Sequence, residues 1–223
     1  MDILIILILI IITIGSYIYI EKIYRKYKKE DLKCLKSGFE ISRKIIDNYD
    51  LNNIYITESR DALFSYYDSN RKVIKLVKEV FSDTSITSCA ISAFNAQSAI
   101  DDKNNNKLFK FRNNFKDLVN IILYLGYLVI AVGALFGHMN TILIGIALEY
   151  MVLLFYIATY KLDRDTKKKA LKELLDNKLI TKKELKKVEE ALRATSFIYI
   201  ASIVFPIAKL IKLIIDFGNS NKN

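Results

Sequence analysis

The sequence predicts a mainly α membrane protein, with about four transmembrane helices and a small cytoplasmic α+β region. Three observations carry that expectation. Apolar runs at residues 3–20, 118–136, 141–160 and 197–217 are each long enough to cross a hydrocarbon layer of about 30 Å. Lys and Arg crowd the flanks of these runs on what would be one side of the bilayer. One Pro and seven Gly in 223 residues, with no Trp, argue against a loop-rich or all-β chain.

The run at 3–20 is mostly Ile and Leu. It follows Met1-Asp2 and ends in Tyr17, Tyr19 and a strongly basic stretch. A cleaved signal would want a basic n-region, a shorter apolar core and a small-residue cleavage site. An uncleaved anchor with an interfacial aromatic rim is therefore expected. Residues 118–136 and 141–160 are separated only by Gly137, His138, Met139 and Asn140, which predicts a tight transmembrane hairpin. The run at 197–217 carries Pro206, expected to kink it. Lys209 and Lys212 late in that run would snorkel or leave the helix partly interfacial.

Residues 21–36 hold seven Lys and Arg, residues 103–116 five, and residues 161–172 six, whereas the 137–140 loop holds none. The basic flanks fall on one side if the N-terminus is outside. The resulting organisation is an anchor at 1–20, a cytoplasmic region at 21–117, a hairpin at 118–160, a second cytoplasmic segment at 161–196 and a last helix at 197–217.

Within 21–117, Ser37-Gly-Phe-Glu40 has capping-box spacing before the stripe Ile41, Ile45, Ile46 and Tyr49, predicting a helix. β-Prone runs follow at 54–57, 62–67 and 72–77, with Asp68-Ser69-Asn70 as a hairpin turn, so a small antiparallel sheet is expected. Residues 84–100, TSITSCAISAFNAQSAI, contain no charge although Asp83 and Asp101-Asp102 bound them. Such small side chains predict a buried helix packed closely by its neighbours, capped by Asp83, Thr84 or Ser85. In 161–196, Asp165 or Thr166 is expected to start a helix that Asn177 ends, and Thr181-Lys-Lys-Glu184 to cap another.

The formal charge of +10 fits nucleic acid or anionic lipid. Because the positive residues cluster beside apolar runs, the expected partner is the lipid bilayer and not nucleic acid. Cys34 and Cys89 lack metal or redox spacing and read as reduced thiols. His138, the single histidine, lies in the outer hairpin as a loop residue. Glu149 falls in mid-span, where a tyrosine partner such as Tyr124 or Tyr127, or a retained proton, would accommodate it. Lys167-Lys168-Lys169 and the 21–36 cluster could meet anionic headgroups, although positive-inside anchoring accounts for both. No phosphate loop, Ser-His-Asp set or nucleic-acid module is visible.

Specific residues resemble one family over nearly the whole chain. Gly38-Phe-Glu-Ile-Ser-Arg-Lys-Ile-Ile46 is similar to its G-x-E-x-A-x-x-I-L helix. Tyr67-Asp68 with Arg71-Lys72-Val73-Ile74-Lys75-Leu76 resembles its hairpin, and Ser82-x-x-Ser85 with Ala90 the approach to its catalytic helix. Lys169-Ala170-Leu171 and Ala191-Leu192 through Tyr199-Ile200-Ala201 resemble its C-terminal part. These features identify the YugP-type neutral zinc metallopeptidases of bacterial membranes, and the resemblance implies a zincin-like domain. In that family the buried helix bears H-E-x-x-H, two zinc-binding histidines and a glutamate base. The matching positions here are Phe94, Asn95, Ala96, Gln97 and Ser98. The third ligand position, a glutamate after the third span, matches Asp163, and the family's Asp-His before the hairpin tyrosine matches Ser65-Tyr66.

Phe cannot ligate a metal, neutral Ser is a poor zinc ligand, and Asn cannot act as a general base near neutral pH. Asp163 is the remaining metal candidate. An all-oxygen cluster of Asp101, Asp102, Asp163 and Asp165 would suit Mg²⁺, Mn²⁺ or Ca²⁺. Against it, Asp101 and Asp102 close one helix, and Asp163 and Asp165 would open another, where the helix dipole favours carboxylates. The resemblance thus implies a pseudo-peptidase without catalytic residues or cofactor, zinc belonging to the resembling family. Such a protein would act as a binding or regulatory scaffold for an active paralogue or peptide segments. The alternatives are an active peptidase with relocated ligands and a structural membrane adaptor.

Overall fold

A computed structural model describes residue 15, residues 18–59 and residues 65–194. The expected span at 197–217, with Pro206, Lys209 and Lys212, lies outside the described residues. So does most of the run at 3–20. The chain divides into two compact units. One comprises Met1–Ile18, Asn114–Tyr160 and Phe197–Asn223, and the other Tyr19–Asn113 with Lys161–Ser196.

Helix α1 (residues 18–28), which lies in the second unit from Tyr19 on, buries Ile23 and Tyr27 and leaves its basic residues outward. Helix α2 (Gly38–Asp47) starts at the expected capping box: Ser37 Oγ accepts from the Glu40 backbone N–H, and the Glu40 carboxylate accepts from the Ser37 N–H at 2.8 Å. Ile41, Ile45 and Ile46 are wholly buried along one face.

Strands β1 (Tyr55–Ser59), β2 (Tyr66–Asp68) and β3 (Val73–Val77) form one sheet in the order β1-β3-β2. The expected hairpin is present: β2 and β3 run antiparallel, and Asp68 Oδ1 accepts from the N–H groups of Asn70 and Arg71 in the turn. The sheet is mixed rather than antiparallel, because β1 pairs in parallel with β3 from Tyr55↔Val73 to Ser59↔Val77. Burial gives the reason. Val73, Ile74 and Leu76 are buried whereas β1 is mostly exposed, so the most apolar strand takes the centre and is paired on both edges.

After the short α3 (Lys78–Ser82), the uncharged stretch becomes α4 (Ile86–Lys103), with Ser85 as N-cap accepting from the Ser88 N–H at 3.2 Å. Fourteen of its eighteen residues are buried, so it forms the centre of this unit. Small side chains make that possible. A Cβ on Gly38 would stand 2.1 Å from the Val80 carbonyl oxygen, 2.4 Å from Ser92 Oγ and 2.7 Å from Ser88 Oγ, so α2 meets α4 almost backbone to side chain. Residues 182–194 (α7) begin at the expected second capping box. The Glu184 carboxylate accepts from the Thr181 N–H at 2.7 Å and also from the Lys33 N–H at 2.8 Å.

Two longer helices follow α4, α5 (Lys107–Phe136) and α6 (Met139–Asp176). Both are long and apolar enough to cross a membrane. Between 114 and 160 they form the expected tight hairpin, in which a Cβ on Gly145 would meet Ile130 Cγ1 at 2.6 Å and the Gly126 carbonyl oxygen at 2.9 Å. Glu149 is fully buried there, its Cγ facing Gly126. No helix starts at Asp165 or Thr166, because α6 continues through both to Asp176. Neither Gly nor Pro interrupts 161–176, and the Thr166 hydroxyl bonds to Asp101 instead of capping its own helix. Asn177 does mark the end, its N–H bonding the Glu173 carbonyl.

Candidate functional site

The site lies in the unit formed by Tyr19–Asn113 and Lys161–Ser196, between α4 and residues 161–176 of α6. Phe94 is half-buried; Asn95, Ala96, Gln97 and Ser98 are buried. Two of these polar side chains are satisfied by their own helix. Asn95 Nδ2 donates to the Ile91 carbonyl at 2.9 Å, and Ser98 Oγ donates to the Phe94 carbonyl at 3.0 Å. Gln97 Nε2 reaches Asp101 Oδ1 at 3.4 Å, while its Oε1 is buried without a hydrogen-bond partner among the described residues.

Facing this helix, Asp163 of α6 is held by Lys167 one turn further on, with Nζ 2.7 Å from Oδ2. The two side chains are 4% and 9% exposed. The same ammonium stands 5.7 Å from the centroid of the Phe94 ring, within cation–π range. Phe94 and Asp163, from different helices, thus meet at one lysine. Burial pulls the Lys167 ammonium below the ordinary lysine pKa, the Asp163 carboxylate opposes that shift, and nearby Arg112 adds to it.

The other carboxylates are also taken up. Asp101 accepts from Lys169 Nζ and from Thr166 Oγ1, both at 2.7 Å. Asp102 accepts from Lys72 Nζ at 2.6 Å and from the Tyr67 hydroxyl at 2.8 Å. Burial and that bond push the Tyr67 phenol well above its usual range. Asp165 faces Arg164 loosely at 3.9 Å. The dipole argument for Asp163 and Asp165 fails, because both sit in mid-helix. Lysines from other positions neutralise Asp101 and Asp102, and Lys167 neutralises Asp163. Among the described residues no three His, Cys, Asp or Glu side chains come together as a metal site. Ser65 and Tyr66 serve the sheet: Ser65 Oγ accepts from the Val77 N–H at 3.0 Å, and the Tyr66 ring lies 5.6 Å from Lys75 Nζ.

These residues do not fit a zinc ion. Catalytic zinc needs about three protein donors. Phe94 offers none, Ser98 offers only a neutral hydroxyl, a poor zinc ligand, and the Asp163 carboxylate faces an ammonium. Positive-inside anchoring accounts for Lys167-Lys168-Lys169 in the sequence without assigning Lys167 this contact. Its spacing of four residues from Asp163 on a helix was the available signal.

The site is thus a buried helix set between a small mixed sheet and a helix that presents a buried carboxylate. The chain belongs to the family described as "Putative neutral zinc metallopeptidase", whose profile matches residues 2–218. It is similar to the "Putative membrane protease YugP" of Bacillus subtilis (strain 168), with 23% identity over 196 residues, covering 88% of this chain and 87% of that protein. No solved structure matches it.

Proposed function

We propose that this chain is an integral membrane member of the zinc metallopeptidase family that has lost catalysis and acts as a binding or regulatory scaffold. The observation that carries the reading is the pairing of Asp163 with Lys167 against the Phe94 ring, which puts an ammonium among the ligand positions. Asn95 stands in the general-base position and is neutral, with its amide turned onto the Ile91 carbonyl. Relocated ligands are not favoured, because Asp101 and Asp102 are each paired with a lysine.

The two long apolar helices and the named membrane protease relative support a place in the bilayer. The positive-inside pattern puts the N-terminus outside and residues 21–117 in the cytoplasm, with four spans in all. An active paralogue, or peptide segments held without cleavage, are the proposed partners. Metal analysis of the detergent-purified full chain tests the reading, with far less than one zinc per chain expected. Stoichiometric zinc that disappears in Asp163→Ala, or chelator-sensitive cleavage of an unfolded substrate, would overturn it.

A further inference from the structure

We infer that Lys167 is a built-in cation: its ammonium supplies the positive charge that Asp163 requires, and by occupying that place it keeps a divalent ion out. The inference rests on the reading that this member holds no metal.

The argument starts from Asp163. A carboxylate whose side chain is 4% exposed needs a compensating charge. In a metallopeptidase site the ion provides it. Here the lysine one turn along α6 reaches back to 2.7 Å and provides it from within the chain. The ammonium must itself be accommodated, since it too is buried. Phe94 does this by offering the electron-rich face of its ring from α4. The two departures from a metal site are therefore complementary. An aromatic hydrocarbon at 94 is useless to zinc but suits an ammonium, and a lysine at 167 would repel zinc but suits an aspartate. Arg112 close by raises the local positive potential further, which disfavours an added cation. The carboxylate and the ammonium together carry no net charge, so Asp163 is compensated without any ion.

An ordinary helical ion pair would have the same spacing, so the test must read metal exclusion directly. Two variants of the full-length protein are compared by competition with a chromophoric zinc chelator. One carries Phe94→His, Asn95→Glu and Ser98→His with Lys167 retained; the other carries the same three changes plus Lys167→Ala. Zinc should bind the second at least about tenfold more tightly than the first, the range of effects seen when the surroundings of metal ligands are altered. Equal affinity would overturn the inference, as would tighter binding with Lys167 retained.

A second measurement stands even if those variants do not fold. Lys167→Met in the otherwise natural chain strands a buried carboxylate and should lower the melting temperature by about 6 °C or more. Asp163→Leu combined with Lys167→Met should recover most of that loss, and chelator should leave the natural protein's melting unchanged. An unchanged melting temperature in Lys167→Met, or no recovery in the double variant, would also refute the assigned role. Zinc in the natural protein would instead sink the metal-free reading, so the two failures are distinguishable.

Discussion

Adding one methyl group at Gly38 should damage this fold more than most surface substitutions. Gly38 opens α2 where that helix meets α3 and α4. An alanine Cβ there would lie 2.1 Å from the Val80 carbonyl oxygen, 2.4 Å from Ser92 Oγ and 2.7 Å from Ser88 Oγ. Ordinary contacts between nonbonded heavy atoms lie near 3.5–4.0 Å, so α2 must retreat by roughly 1 Å or more. The serine side chains can rotate away, but the Val80 carbonyl is backbone and cannot. Retreat would stretch the bond from the Gly38 N–H to the Asp83 carbonyl, 3.2 Å, and that from Ser42 Oγ to the Ser92 carbonyl, 3.3 Å. Overpacking of this kind costs about 1–3 kcal/mol, and three close contacts put it at the upper end. Alanine returns up to about 1 kcal/mol through helix propensity. The net loss is about 2 kcal/mol, or about 4–8 °C for a chain of this size. Thermal unfolding of detergent-solubilised Gly38→Ala beside the natural protein measures it. Ser92→Gly in the same background should recover only part of the loss, since the Val80 carbonyl stays. A melting temperature unchanged or raised in Gly38→Ala would refute the close-packing argument.

Two other outcomes follow from geometry already described. The Tyr49 hydroxyl donates to the Glu173 carboxylate, which together with burial pushes its pKa up to about 12. A folded value above the unfolded value of about 10 means the contribution is complete below pH 10 and disappears as pH rises towards 12. Melting temperature should therefore fall more steeply between pH 10 and 12 in the natural protein than in Tyr49→Phe, and parallel curves would contradict the assignment. In the hairpin, Gly145→Leu drives a side chain into Ile130 and the Gly126 carbonyl, and should cost about 1–3 kcal/mol of stability in detergent. Unaltered unfolding of that variant would show that the helices do not rely on close approach at Gly145.

Local features were legible in the sequence because their causes are local. The capping boxes at Ser37 and Thr181, the turn at Asp68 and the N-cap at Ser85 each depend on residues within four positions of one another. The parallel pairing of β1 with β3 was hidden, because it depends on which strand is most buried rather than on adjacency in the chain. Asp165 and Thr166 looked like the start of a helix because capping residues and tertiary hydrogen bonders are the same residue types. Thr166 turned out to serve Asp101. The contact made by Lys167 was hidden for a related reason: three consecutive lysines beside an apolar run are already accounted for by positive-inside anchoring. On a helix consecutive residues point about 100° apart, and the first and third of these face Asp163 and Asp101. The family resemblance singled out residues 94, 95 and 98, whereas the ammonium beside Phe94 required the fold.

Helix α4 divides its duties by direction. Ser88 and Ser92 face α2, while Phe94 lies about 120° and about 160° around the helix from them, beside Lys167. The side that holds the domain together is thus insulated from the side where a reaction would occur. A lineage carrying such a helix can forfeit its chemistry without a folding crisis, and can regain it through a handful of changes confined to one flank.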